Sequence, residues 1–204
     1  MSMMRYISFP KKLTNHQVSY IRHEGDDKFI VNTNVGENWG KELPVIEGQV
    51  DGRVSIWDFT GNKLFNKAVF INCFMNPYIY GFSVEIPDYY REQCEEIIDR
   101  YSDEEESTGY CLDYEAMDKE LSEYVNKKWF LKNQVLYKYL QDNLKAGEFV
   151  EIYESWIEEE DERGMIFGPP TSETVITLNE LPNLPFSDGP DEVGEREKLT
   201  IHKV

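Results

Sequence analysis

The chain has 204 residues, 40% hydrophobic and 14% aromatic, which excludes a mainly disordered polypeptide: such chains lack the apolar groups that offset ordering entropy. Its 39 acidic and 21 basic residues give a formal net charge of −18, which repels nucleic-acid phosphates and anionic membranes and favours a basic partner or cations. No apolar run approaches the roughly 18 residues of a membrane span, and MSMMRYISFPKKL lacks the apolar core of a secretory signal, so the expectation is a cytoplasmic protein.

The N-terminal half reads as short strands and turns. Arg5–Phe9, Lys28–Asn32 and the segment Gly48–Asp58 carry the β-formers, and Val35-Gly36, Asn38-Trp39-Gly40 and Thr60-Gly61-Asn62 are turn signals. Ala68–Phe74 is apolar on both faces, as in a central strand. After the break at Asn76-Pro77, the residues Tyr78, Tyr80, Phe82, Val84 and Ile86 alternate with Ile79, Gly81, Ser83 and Glu85, which puts the first set on one buried face. The short connection predicts an antiparallel hairpin between these two segments near the sheet centre.

Pro87-Asp88 opens a helix, with Asp88 placed to cap its first turn. Tyr90, Cys94, Ile97, Ile98 and Tyr101 form its apolar stripe, while Glu92, Glu95, Glu96 and Asp99 lie mostly away from it; this helix is expected on one face of the sheet. A second helical region runs from about Asp113 to Leu144, as one helix or as two broken near Lys128. Met117, Leu121, Val125, Leu136, Leu140 and Leu144 point inward, and Gly147 lies just past the end. Glu148–Ile157 and Thr174–Leu178 are strands, and Leu199–Lys203 returns as an edge strand. Residues 179–198 read as a loose acidic loop that Leu181, Leu184 and Phe186 can pin to the core. The sum is a single α+β domain over 1–204: a mainly antiparallel sheet with a helical insert, about 88–145, packed on it.

Charge is distributed unevenly along this frame. Residues 85–123 hold 15 acids and 3 bases, and residues 148–204 hold 15 acids and 4 bases. Between them, residues 124–147 hold 1 acid and 5 bases; residues 1–84 are nearly balanced, with 8 acids and 9 bases. Each acidic segment contains a solid run, Asp103-Glu104-Glu105-Glu106 and Glu158-Glu159-Glu160-Asp161-Glu162. Packed carboxylates repel one another, so each run belongs where water reaches it, and the plainest role is to keep the apolar strand ahead of it soluble. The sharper role is a binding face: Tyr101 and Tyr110 flank the first run, and Tyr153 and Trp156 precede the second, so aromatic anchors stand beside steering charges. For Tyr153 and Trp156, core packing is the favoured role.

No chemical signature accompanies these runs. His16, His23 and His202 lack the spacing of a zinc motif, and Cys73, Cys94 and Cys111 form no CxxC pair and read as reduced thiols. GxGxxG, GxxxxGK[ST] and GxSxG are absent, and the first acidic run lacks the spacing of a calcium loop. The expectation is therefore no metal, no cofactor and no catalytic residue. Lys127, Lys128, Lys132 and Lys138, with Trp129 and Phe130, superficially suggest nucleic-acid binding; flanked by acidic segments, they are expected in internal salt bridges or on the solvent side of a helix.

In overall character the chain is similar to small acidic immunity proteins and nuclease inhibitors, a likeness of composition and class that covers no motif and transfers no residue. The resulting expectation is a non-enzymatic acidic binding protein that occludes a basic partner such as a toxin or nuclease, through Asp103–Glu106, Tyr110, Trp156 and Glu158–Glu162. The other readings are a phage or mobile-element accessory protein whose acidity serves solubility, and a hydrolase that uses dispersed carboxylates in a deep pocket.

Overall fold

The computed structural model describes residues 3–14, 20–22, 29–31, 52–58, 69–70, 73–87, 93–101, 114–156, 160–161, 164–167, 169–184 and 197–204. In chain order these form β1 (Met3–Phe9), β2 (Tyr20–Arg22), β3 (Phe29–Val31), β4 (Arg53–Asp58), β5 (Val69–Phe70) and β6 (Tyr78–Glu85). Helix α1 (residues 93–101) and the 30-residue helix α2 (Tyr114–Asn143) follow, then β7 (Phe149–Trp156), β8 (Glu160–Asp161), β9 (Gly164–Phe167) and β10 (Ser172–Thr177). A 3-10 turn, Leu178–Asn183, leads toward the last strand, β11 (Glu197–His202).

Eight strands form one sheet in the order β10-β11-β7-β1-β6-β4-β2-β3. Its neighbours are antiparallel except β10 with β11 and β2 with β4. A parallel pair needs a long crossover, and residues 178–196 supply one between β10 and β11. The 3-10 turn at its start is fixed by Glu180, whose carboxylate accepts the backbone N–H and the hydroxyl of Thr177, each at 2.7 Å. Leu181, 1% exposed, then drops into the core, so the proposed anchor at the start of this crossover is in place.

Period-two alternation assigns the two faces of the sheet. Ile7, Phe9, Ile56, Tyr80, Phe82, Val84, Val150, Ile152 and Ile201 point to one side, where Val135, Leu136, Leu140 and Leu144 of the α2 end and its following residue meet them with Leu178 and Leu181. Helix α2 is continuous, with no break at Lys128. Its second half carries the buried stripe, whereas Met117, Leu121 and Val125 in the first half are only half-buried. Two glycines set its position. A Cβ on Gly52 would stand 2.6 Å from a Val135 methyl and 2.7 Å from the Glu85 carbonyl, so the absence of a side chain lets the helix close onto β4 and β6. Gly147 has φ +84° and turns the chain from α2 into β7. Lys203 adds a cap from the far end of β11: its ammonium donates to the carbonyls of Gln141 and Leu144, where helix carbonyls lack partners.

Several expectations change. Of the expected strand 68–74, residues 68, 71 and 72 lie outside the described residues, and Val69–Phe70 does not pair with β6. Both edges of β6 are taken, by β1 and by β4, and Val69–Phe70 pairs in parallel with β9 in a separate small sheet, order β5-β9-β8. Helix α1 is fastened to the first half of α2, by an Arg100–Glu120 ion pair at 2.6 Å and by the Tyr101 hydroxyl to the same carboxylate at 3.3 Å. Ile98, assigned to the apolar stripe, is 45% exposed. Finally, β11 is interior: it lies between β10 and β7, and β10 takes the edge.

Candidate functional site

Of the residues proposed from sequence, Asp103, Glu104, Glu105, Glu106, Tyr110, Glu158, Glu159 and Glu162 lie outside the described residues. Trp156 is the last residue of β7, with its Cα opposite Met3. Glu160 and Asp161 form β8, paired antiparallel with Met165 and Gly164 of β9, so part of the second run sits on a hairpin beyond the end of β7. Tyr153 is not an interface anchor: it is fully buried, with its ring edge-on to Phe74 at 5.8 Å.

The described acids fall into two groups. Those on the sheet are engaged internally. Arg53 binds Glu85, Lys11 binds Glu148, and Lys198 binds both Glu151 and Glu173. On α1 and the first half of α2, Glu120 is held by Arg100 and Tyr101, whereas Glu95, Glu96, Asp99, Glu115, Asp118 and Glu123 are all exposed, as is Ile98 on α1. The Asp103–Glu106 run lies between these two helices in sequence.

Among the described residues Glu151 is the most enclosed charged group, at 0% exposure. Alternation along β7 directs it away from the helix face, beside Ser8 and Thr200 on the neighbouring strands. Its carboxylate accepts the Ser8 hydroxyl at 2.9 Å, the backbone N–H groups of Met75 and Asn76 at 2.9 Å each, and the Lys198 ammonium at 3.3 Å. Every lone-pair direction is occupied from within the fold, which makes this a structural junction rather than a reactive group.

A cavity of about 350 Å³ opens on the helix face, between the middle of α2 and the sheet. Its floor is apolar, with Phe82, Val84, Leu136, Ile152, Leu181 and Leu199. Charged residues gather at one side. Arg5 and Glu154 are opposite one another in register and form a forked pair, Nε–Oε1 at 2.7 Å and Nη2–Oε2 at 3.1 Å. Burial holds the Glu154 carboxyl above its ordinary range even though Arg5 pulls it down, and Glu197, opposite Glu154 on β11, adds to the rise. The Arg5 guanidinium also lies over the Trp129 ring at 4.8 Å, and the Lys132 ammonium lies over the same ring at 5.2 Å. Burial, then the charges of Lys128 and Arg5, push the Lys132 ammonium below its ordinary range. Among the described residues no carboxylate forms an ion pair with Lys132.

The basic stretch of α2 thus divides. Lys127 and Lys138 are on the solvent side, as expected, but Lys132 turns into the cavity, and the expected internal salt bridges do not form among the described residues. The signal was present in the spacing: Lys132 is three residues after Trp129 and four before Leu136, on the stripe that faces the sheet. Arg5 and Glu154 had no such signal, because only strand register brings them together. Among the described residues there is no group of three or more His, Cys, Asp or Glu side chains that could hold a metal, and no helix is long and apolar enough to cross a membrane. No family model, curated protein or solved structure matches the chain.

Proposed function

We propose that this is a non-enzymatic acidic binding protein that recognises a basic protein partner. The observation that carries the reading is the division of carboxylates: Glu85, Glu148, Glu151 and Glu173 on and beside the sheet are engaged by internal donors, whereas Glu96, Asp99, Glu115, Asp118 and Glu123 on α1 and α2 are exposed, as is Ile98 on α1. An exposed apolar side chain on a predominantly acidic helix pair suits a basic partner, with the charges accelerating encounter and the apolar group slowing release. The sequence adds the acidic runs at 103–106 and 158–162 to this charge, and occlusion of a toxin or nuclease groove is the mechanism that suits it.

The test is kinetic. A partner captured by the full chain at low salt is identified, and association is then measured as salt is raised. Replacing Glu95, Glu96 and Asp99 by Gln, Gln and Asn slows association several-fold and flattens its salt dependence, and Glu158, Glu159 and Glu160 to Gln does the same for the second run. Ile98→Ala instead speeds dissociation. An association rate at low salt that neither triple variant changes sinks the proposal and reduces the acids to solubilising groups.

A further inference from the structure

The cavity beneath α2 contains an imbalance that the acidic surface does not explain. Lys132 is partly buried beside an apolar floor, yet no described carboxylate pairs with it. Shortage of acids is not the cause, because the chain has 39 against 21 bases. Its neighbours offset it only in part: Glu154 and Glu85 attract it from a distance without forming an ion pair, Glu154 is already committed to Arg5 by two hydrogen bonds, and Lys128 adds positive charge. The Trp129 ring gives it only a face-on contact. A desolvated ammonium left this way is costly to the free protein, and a ligand anion placed beside it removes that cost.

We propose that this cavity binds a small monocarboxylate with an apolar body, its carboxylate on Lys132 beside Trp129 and its body on Phe82, Leu136, Ile152 and Leu199. Three features select that chemistry. The floor is hydrocarbon, and a volume of about 350 Å³ is at the small end of ligand cavities, which run to about 1,000 Å³. Among the described residues that line it, Lys132 is the one cation without an ion pair, which calls for one negative charge. Glu154 and Glu197 on the strand wall repel a second, which disfavours phosphate monoesters.

Decanoate, indole-3-propionate, decan-1-ol and decyl phosphate are the probes, each titrated into the full chain by calorimetry and followed by the indole N–H resonance of Trp129. At least one of the two carboxylates is expected to bind and to shift that resonance, with decan-1-ol and decyl phosphate each about tenfold weaker than decanoate or silent. Lys132→Gln is expected to weaken carboxylate binding about tenfold or more and to leave the melting temperature of the free protein unchanged or higher, because it removes an unpaired charge. Lys132→Arg retains most of the binding. The proposal is overturned if neither carboxylate binds, if decan-1-ol or decyl phosphate binds as well as decanoate, or if carboxylate affinity survives Lys132→Gln. A lower melting temperature for Lys132→Gln with unchanged carboxylate affinity would assign Lys132 a purely structural role.

Discussion

The ammonium of Lys198 stands 3.3 Å from a carboxylate oxygen of Glu151, and the two side chains are 7% and 0% exposed. Taking two charges out of water costs several kcal/mol, and their attraction alone seldom offsets it. What stabilises this pair is the rest of its shell, above all the N–H groups of Met75 and Asn76, which tie the chain entering β6 to the middle of β7. Glu151→Ala is expected to cost about 3–5 kcal/mol, because it orphans those donors and leaves Lys198 with Glu173 as its remaining carboxylate. Lys198→Met in the Glu151→Ala background should recover part of the loss. Urea denaturation of the single and double variants measures both, and a Glu151→Ala cost below about 1 kcal/mol would contradict the junction described here.

Gly52 and Gly147 give the same substitution two different outcomes. At Gly52 an added methyl meets Val135 at 2.6 Å and a backbone carbonyl at 2.7 Å, so Gly52→Ala is expected to cost about 1–3 kcal/mol through overpacking. At Gly147 nothing lies within 4 Å of the new Cβ, and the cost, about 1 kcal/mol, comes from the positive φ alone. Val135→Ala should partly rescue the first variant and leave the second unaffected, which thermal melts of the four proteins can check.

Glu148 and Glu154 should respond to acid in opposite senses. The Lys145 N–H and the Lys11 ammonium hold the Glu148 carboxyl below the ordinary value of 4.5. Its contribution is therefore present above pH 4.5 and lost as pH falls through the lower folded value. The Glu154 carboxyl is held above 4.5 by burial, so ionising it costs stability at neutral pH, and that cost disappears as pH falls below 4.5. Glu148→Gln is thus expected to lower stability at pH 7 and to converge with the parent in acid. Arg5→Met, which strips Glu154 of its partner, should destabilise most at pH 7, by about 2 kcal/mol, and progressively less toward pH 4.5. Equal penalties at both pH values for Arg5→Met would refute the assignment.

Neutralising Glu95, Glu96 and Asp99 should leave the fold intact and its melting temperature unchanged or raised. All three are exposed, and they lie close together on α1 in a chain of net charge −18. A clear fall in melting temperature, measured at low salt, would show that these acids support the helix rather than face a partner.

Strand positions were legible wherever period two was strong. Tyr80, Phe82 and Val84 sit on the buried face that their alternation predicts, and Gly147 marks the end of the helical insert. Pairing was not legible, because it depends on partners distant in sequence. Val69–Phe70 has the composition of a central strand, yet β1 and β4 satisfy β6 instead. The same limit hid the cavity: Arg5 and Glu154 are 149 residues apart, and each alone looks like an ordinary polar residue on a strand. Glu151 carried a local hint, an acid inside an apolar strand beside Tyr153, since such a group is kept only with partners.

The interior position of β11 has a consequence for how the sheet is assembled. Strand β10 has β11 as its sole neighbour in the sheet, so although it comes earlier in the chain it cannot join until β11 has docked on β7. The β1–β7 contact at the centre likewise closes a loop of nearly 150 residues. Assembly cannot proceed by zipping hairpins in chain order, and the entropy of closing these loops precedes the contacts that reward it. Folding is expected in milliseconds to seconds rather than microseconds, with α2 helical before the sheet is complete. Until β11 docks, β7 presents an open edge, and an exposed strand edge is a template for pairing with another chain.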